Sequence, residues 1–174
     1  MLDVAVAYNR FKFLGNEFLT WLWFIIENDP GCLKNLFPDL TSLEIGDRIV
    51  LENRNQEAVE SITIKGDEAN LEEGVVALRK GAVVTEINLH FKSGDQEWGF
   101  TIKGESLNIS SLKIPFTDPA DTAEEIENTV IEKIYQYDQA IQFVENLFKN
   151  FIKKRTSNHW QNKVIPMIRK WIYT

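Results

Sequence analysis

Apolar and polar positions follow two rhythms along this 174-residue chain, with one stretch that follows neither. That stretch is Leu14–Ile26, where Phe18, Leu22 and Ile25 make one helical face and Trp21 and Phe24 another. A helix that is apolar nearly all round has to be covered on several sides. Gly15-Asn16 reads as its turn and N-cap, with Glu17 in the first turn and an end near Glu27-Asn28. The apolar run Val4–Tyr8 ahead of it reads as a short strand. Asp29-Pro30-Gly31 is a turn, and Leu33–Leu43 reads as loop or short helical turns.

A period of two then takes over. Asp47–Glu52 reads as a strand, Asn53–Gln56 as a turn, and Ala58–Lys65 as the hairpin partner, ended by Gly66-Asp67. Asn70–Lys80 interrupts as a helix with Leu71, Val75 and Leu78 on one side, Asn70 as cap and Gly81 as stop. In the next strand Val83, Thr85, Ile87, Leu89 and Phe91 face inward, and Val84, Glu86, Asn88, His90 and Lys92 outward. After the turn at Ser93–Gln96, Trp98, Phe100 and Ile102 face inward from Glu97–Lys103, and Leu107–Leu112 alternates once more. The expectation is an antiparallel sheet of about five strands, one face buried and one wet.

Beyond Pro115 and Pro119 the rhythm becomes helical. From Asp121 as cap, a helix is expected to run to about Lys154 with the stripe Ile126, Val130, Ile134, Tyr137, Ile141, Val144, Phe148 and Phe151. The steps of four and three resemble a heptad seam, which needs a partner along its length. That partner is another helix of the chain or a second protomer. Thr156-Ser157-Asn158 breaks the helix, and a short helix from Trp160 to Trp171 bends or starts at Pro166. The fold class is therefore α+β, with helices on one face of the sheet and a long C-terminal amphipathic helix. Residues 1–117 form the α+β domain, and 118–174 the long helix and tail, packed on that domain or on a partner protomer.

Charge changes this picture at one end. The formal net charge is −7, but no acid follows Glu145. From Lys149 onward there are seven cations, which leaves 12 basic and 26 acidic residues before them, a net −14. Lys153, Lys154, Arg155, Lys163, Arg169 and Lys170 lie among Trp160, Trp171 and Tyr173. Cations contact phosphates and aromatic rings stack on bases, so these six are the candidate DNA-binding residues. The alternative is that the cations stabilise helix ends and the tryptophans are core.

Chemistry changes it little. Cys32 is the single cysteine, so no intramolecular disulfide forms and a cytoplasmic location is expected. Met1-Leu2-Asp3 lacks the basic start of a signal peptide, and Phe18–Ile26 is far shorter than the ~20 residues that span a bilayer, so no membrane association is expected. His90, His159 and Cys32 have no zinc spacing, and no glycine-rich phosphate loop precedes a helix. Glu86, Asp95 and Glu97 suit a metal-dependent nuclease only if they converge; as solvated sheet-face charges they need no such role. No catalytic residue, metal or cofactor is expected, and the chain reads as a non-enzyme.

Two stretches resemble the C-terminal half of the bacterial recombination-associated RdgC family. One is Gly15-Asn16-Glu17-Phe18-Leu19-Thr20-Trp21-Leu22-Trp23. The other runs from Asn70-Leu71-Glu72-Glu73-Gly74 through Lys80-Gly81-Ala82-Val83-Val84-Thr85 and Trp98-Gly99-Phe100-Thr101-Ile102 to Leu112-Lys113-Ile114-Pro115. The similarity is colinear over about residues 14–115, and the family's N-terminal half has no counterpart. It implies a non-catalytic, nucleoid-associated protein of DNA recombination that binds double-stranded DNA without sequence preference and forms a dimer. The Ile126–Phe151 stripe would serve as the homodimer interface. The alternative is a protein-interaction or assembly module, of phage or mobile-element origin, acting through the aromatic helix and the heptad helix without DNA.

Overall fold

The computed structural model describes residues 4–55, 58–65 and 68–174, and the side chains of 12–53, 60–64 and 71–174. The first helix, α1 (Val4–Asn28), is longer than expected. Val4–Tyr8 is not a strand but its opening turns. A five-residue apolar run has no periodicity to separate strand from helix, and nothing between Tyr8 and Leu14 breaks one. Gly15 is likewise no turn. It sits mid-helix because α1 crosses the backbone of Gly104 so closely that a methyl at Gly15 would overlap the Gly104 carbonyl oxygen.

Asp29 caps a short helix, α2 (Pro30–Leu36), its carboxylate accepting from the Cys32 N–H at 3.2 Å. Five strands follow: β1 (Leu40–Asn55), β2 (Ala58–Lys65), β3 (Val83–Ser93), β4 (Gln96–Lys103) and β5 (Asn108–Lys113). They form one antiparallel sheet in the order β2-β1-β3-β4-β5. The expected hairpin turn reaches Gln56, and Gly66-Asp67 was to end β2; these residues lie outside the described ones.

β1 begins seven residues before the expected Asp47 because a bulge hides its alternation. Ile45 pairs with Leu89 and Ile49 with Ile87, so extra residues of β1 oppose a short step of β3. Gly46 makes the bulge possible, since a Cβ there would meet the Asn88 side chain. A second shift between Val50 and Leu51 pairs Leu51 with Val84. Val84 therefore turns into the core, against the expectation, and Thr85 turns to the other face and donates to the Val50 carbonyl at 3.3 Å.

α3 (Glu68–Arg79) joins the two parts of the sheet. Asn70 lies inside it and is not its cap. Gly81, at φ +93°, stops it: the Gly81 and Ala82 N–H groups donate to Leu78 and Ala77 carbonyls at 2.9 and 3.0 Å. α4 (Ala123–Arg155) is capped by Thr122, not Asp121. A π-helical turn, Trp160–Val164, leads into α5 (Ile165–Tyr173), with Pro166 in its first turn.

α1 lies on the inner face of the sheet and explains its own composition. Phe18, Leu19, Trp21, Leu22, Trp23, Phe24 and Ile25 are all buried. Phe18 meets Phe148 edge-on at 5.3 Å, Trp21 lies 5.6 Å from Phe151, and Trp23 meets Trp171 edge-on at 5.3 Å. α4 and α5 thus cover the sides of α1 that the sheet leaves open. One core cluster includes β-sheet residues, α1, the second half of α4, and Trp160, Val164 and Ile168. No helix among the described residues is long and apolar enough to cross a membrane.

Candidate interaction surfaces

α4 begins with a capping box. The Glu125 N–H donates to the Thr122 hydroxyl at 3.3 Å, and the Glu125 carboxylate accepts from the Asp121 and Thr122 N–H groups at 3.0 Å each. These hydrogen bonds favour the ionised form and hold the Glu125 carboxyl below its ordinary value. Cations crowd the other end, where Lys153, Lys154 and Arg155 suit the helix dipole.

Between these ends the helix has two apolar faces. Gln136, Ala140, Phe143, Val144, Leu147 and Phe151 are buried, and the Trp98 indole donates to the Gln136 carbonyl at 3.0 Å. The expected stripe is centred about 80° further round the helix and shares Val144 and Phe151 with the buried face. Its last members, Val144, Phe148 and Phe151, pack on the core. Its first five do not: Ile126, Val130, Ile134, Tyr137 and Ile141 are 52, 51, 63, 45 and 46% exposed, and Ile131 and Tyr135 beside them 59 and 57%. No residue from Ala123 to Tyr135 is buried. About 20 Å of helix therefore carries no buried side chain. An isolated helix of that length is marginal in water, so an apolar side chain every turn is a demand for a neighbour.

The structure divides the six candidate DNA contacts. Arg155 donates to the Glu17 carboxylate at 2.6 Å and lies over the Phe13 ring at 5.7 Å. Lys154 donates to the Cys32 sulfur at 2.8 Å and covers the Trp21 ring at 5.8 Å. These two tie the end of α4 to α1 and α2. Lys153, Lys163, Arg169 and Lys170 are exposed. The tryptophans among them are not open for stacking. Trp160 is buried against Phe151, and Trp171 packs on Trp23 and Phe24 while donating to Glu27 at 3.1 Å. The signals for these roles, a carboxylate and a thiol more than a hundred residues away, cannot be read from local sequence.

The acids considered for catalysis do not converge. Glu86 sits between Arg48 at 2.7 Å and Lys103 at 3.6 Å, and Glu97 between His90 and Lys92 at 3.5 and 3.3 Å. They are cross-strand charges of the open sheet face. Among the described residues, no three His, Cys, Asp or Glu side chains gather as metal ligands. A hollow of about 420 Å³ over Arg48, Thr85, Glu86 and Lys103 is shallow and open. A larger one, about 630 Å³, lies between α3 and α5, floored by Leu71, Val75 and Trp171. The chain matches no family model and no curated protein.

Proposed function

We propose that the protein is a non-catalytic assembly module whose working surface is the projecting half of α4. The observation that carries this reading is the exposed apolar line Ile126, Val130, Ile134, Tyr137 and Ile141 on a capped helix that has no buried residue from Ala123 to Tyr135. Burial of such a line is worth about 25 cal/mol per Å², so contact with another polypeptide stabilises both the arm and the complex. The test is a photo-crosslinking residue at position 134, expressed in the protein's own cells, with a second at Lys163 as control. Protein adducts at 134 and none at 163 are expected. An arm that crosslinks to nothing overturns the reading.

A second reading, duplex-DNA association in the manner of RdgC proteins, is favoured by the exposure of Lys153, Lys163, Arg169 and Lys170 at one end of an otherwise acidic molecule. Binding would then weaken steeply with salt, and alanine at these four positions would flatten the salt slope. Lys154 and Arg155 belong outside that set, because they hold the fold. No retention of duplex DNA at low salt removes this second reading.

A further inference from the structure

Building on the assembly reading of α4, we infer that the occupant of its bare line is a second copy of the same helix, packed antiparallel about a twofold axis near Gln139. Two features of α4 support this pairing. The first is register. The apolar side chains along the line that are not fully buried are Ile126, Val130, Ile134, Tyr137 and Ile141, continued by half-buried Phe148 and Ile152. Reversed about Gln139, the line meets itself: Ile126 falls opposite Ile152, Val130 opposite Phe148, and Tyr137 opposite Ile141, while Ile134 falls over the buried Val144, at the edge of the packed half. Self-complementarity of this kind is what an isologous contact requires.

The second feature is charge. Glu124, Glu125 and Glu127 stand at the start of the line; at its end stand Lys153, which is exposed, and Lys149, which also reaches Glu145 of its own helix at 3.1 Å across two exposed side chains. Antiparallel packing lays the acidic start of each copy along the basic end of the other. A parallel pair would set acids on acids and cations on cations. An unrelated cationic helix would satisfy the acidic start but leave the basic end facing a like charge. The seam from Ile126 to Ile152 is about 40 Å long. The core-facing side of α4, carrying Ala140, Phe143 and Leu147, lies about 100° round from it, and the half-buried Phe148 and Ile152 sit at the border between the two. The arm that is bare in one copy then lies over the packed half of the other.

Sedimentation equilibrium of the purified full chain tests this. A mass twice the 20.1 kDa of one chain at micromolar concentration is expected. Ile134→Asp, at an exposed position, should give a folded monomer with unchanged circular dichroism of the core. Glu127→Lys and Lys149→Glu should each weaken the dimer by roughly tenfold, since each reversal acts twice across the axis. Combining both reversals in one chain should restore it. A 20.1 kDa species at all concentrations overturns the inference; if the residue-134 crosslinker still captures other proteins, the assembly reading survives it. A dimer that the paired reversals fail to restore overturns the antiparallel pairing.

Discussion

α1 and the first half of α4 are both rich in large apolar side chains, and the structure treats them in opposite ways. From Phe18 to Ile25, α1 is closed in by the sheet beneath it and by α4 and α5 at its sides. From Ala123 to Tyr135, α4 has Ile126, Val130, Ile131 and Ile134, each at least half exposed. The difference lies in distribution. The residues of α1 leave no polar face to turn outward, so only the middle of the molecule accommodates them. α4 alternates its apolar line with Glu124, Glu127, Glu132 and Asp138, which keep the uncovered helix hydrated. The first pattern builds a core within one chain; the second waits for a contact.

The comparison breaks if truncation in α1 is mild. Trp23 is fully buried, edge-on to Trp171, with its indole N–H on the Glu27 carboxylate at 2.5 Å. Trp23→Ala should cost about 3–5 kcal/mol in urea unfolding, the range for a large aromatic lost from a core. Ile134→Ala should change the stability of the single chain by less than about 0.5 kcal/mol. Comparable losses at the two positions would mean the arm is packed after all.

Gly15→Ala gives the next largest effect and has the opposite sign to the usual one. Alanine normally stabilises a helix interior by about 1 kcal/mol over glycine. Here its methyl would run into the Gly104 backbone, which cannot rotate away. Overpacking of that kind costs about 1–3 kcal/mol, so a net loss is expected in thermal or urea unfolding. A gain in stability would show that α1 and the β4–β5 turn are not in contact.

Much of the fold was legible where one signal acted alone. β2 runs over Ala58–Lys65 as its alternation indicates, and Trp98, Phe100 and Ile102 of β4 point inward as expected. Legibility failed where a distant contact overruled a local one. Gly15 looks like a turn until Gly104 is set against it, and Val84 looks outward until the shift at Val50 brings it beside Leu51. The candidate surface divides in the same way. The apolar stripe of α4 was visible from spacing. Which half of it the body covers depends on a second face, where Gln136 and Ala140 do not announce themselves as core. Two of the six cations were lost to partners, Glu17 and Cys32, that no local pattern connects to them.

The smallest effect sharpens the comparison most, because it touches the arm and leaves α1 alone. In the monomeric Ile134→Asp background, where no second helix covers its first turns, the exposed half of α4 depends on its cap. Thr122→Ala removes the hydroxyl that accepts the Glu125 N–H, and the opening equilibrium of residues 126–134 should rise roughly fivefold in hydrogen exchange. Exchange in β3, β4 and α1 should not change. Acid should act through the same box. The Glu125 carboxyl is held below the ordinary value of 4.5 by the Asp121 and Thr122 N–H groups, so its contribution is fully present above that value. It is lost as pH falls through the lowered one, when the protonated carboxyl accepts these hydrogen bonds less well. Arm protection should therefore decline on acidification below pH 4.5 before the core opens, and less so in Glu125→Gln, which cannot titrate. An arm and core that open together in acid would show that the first turns of α4 are held by packing and not by their cap.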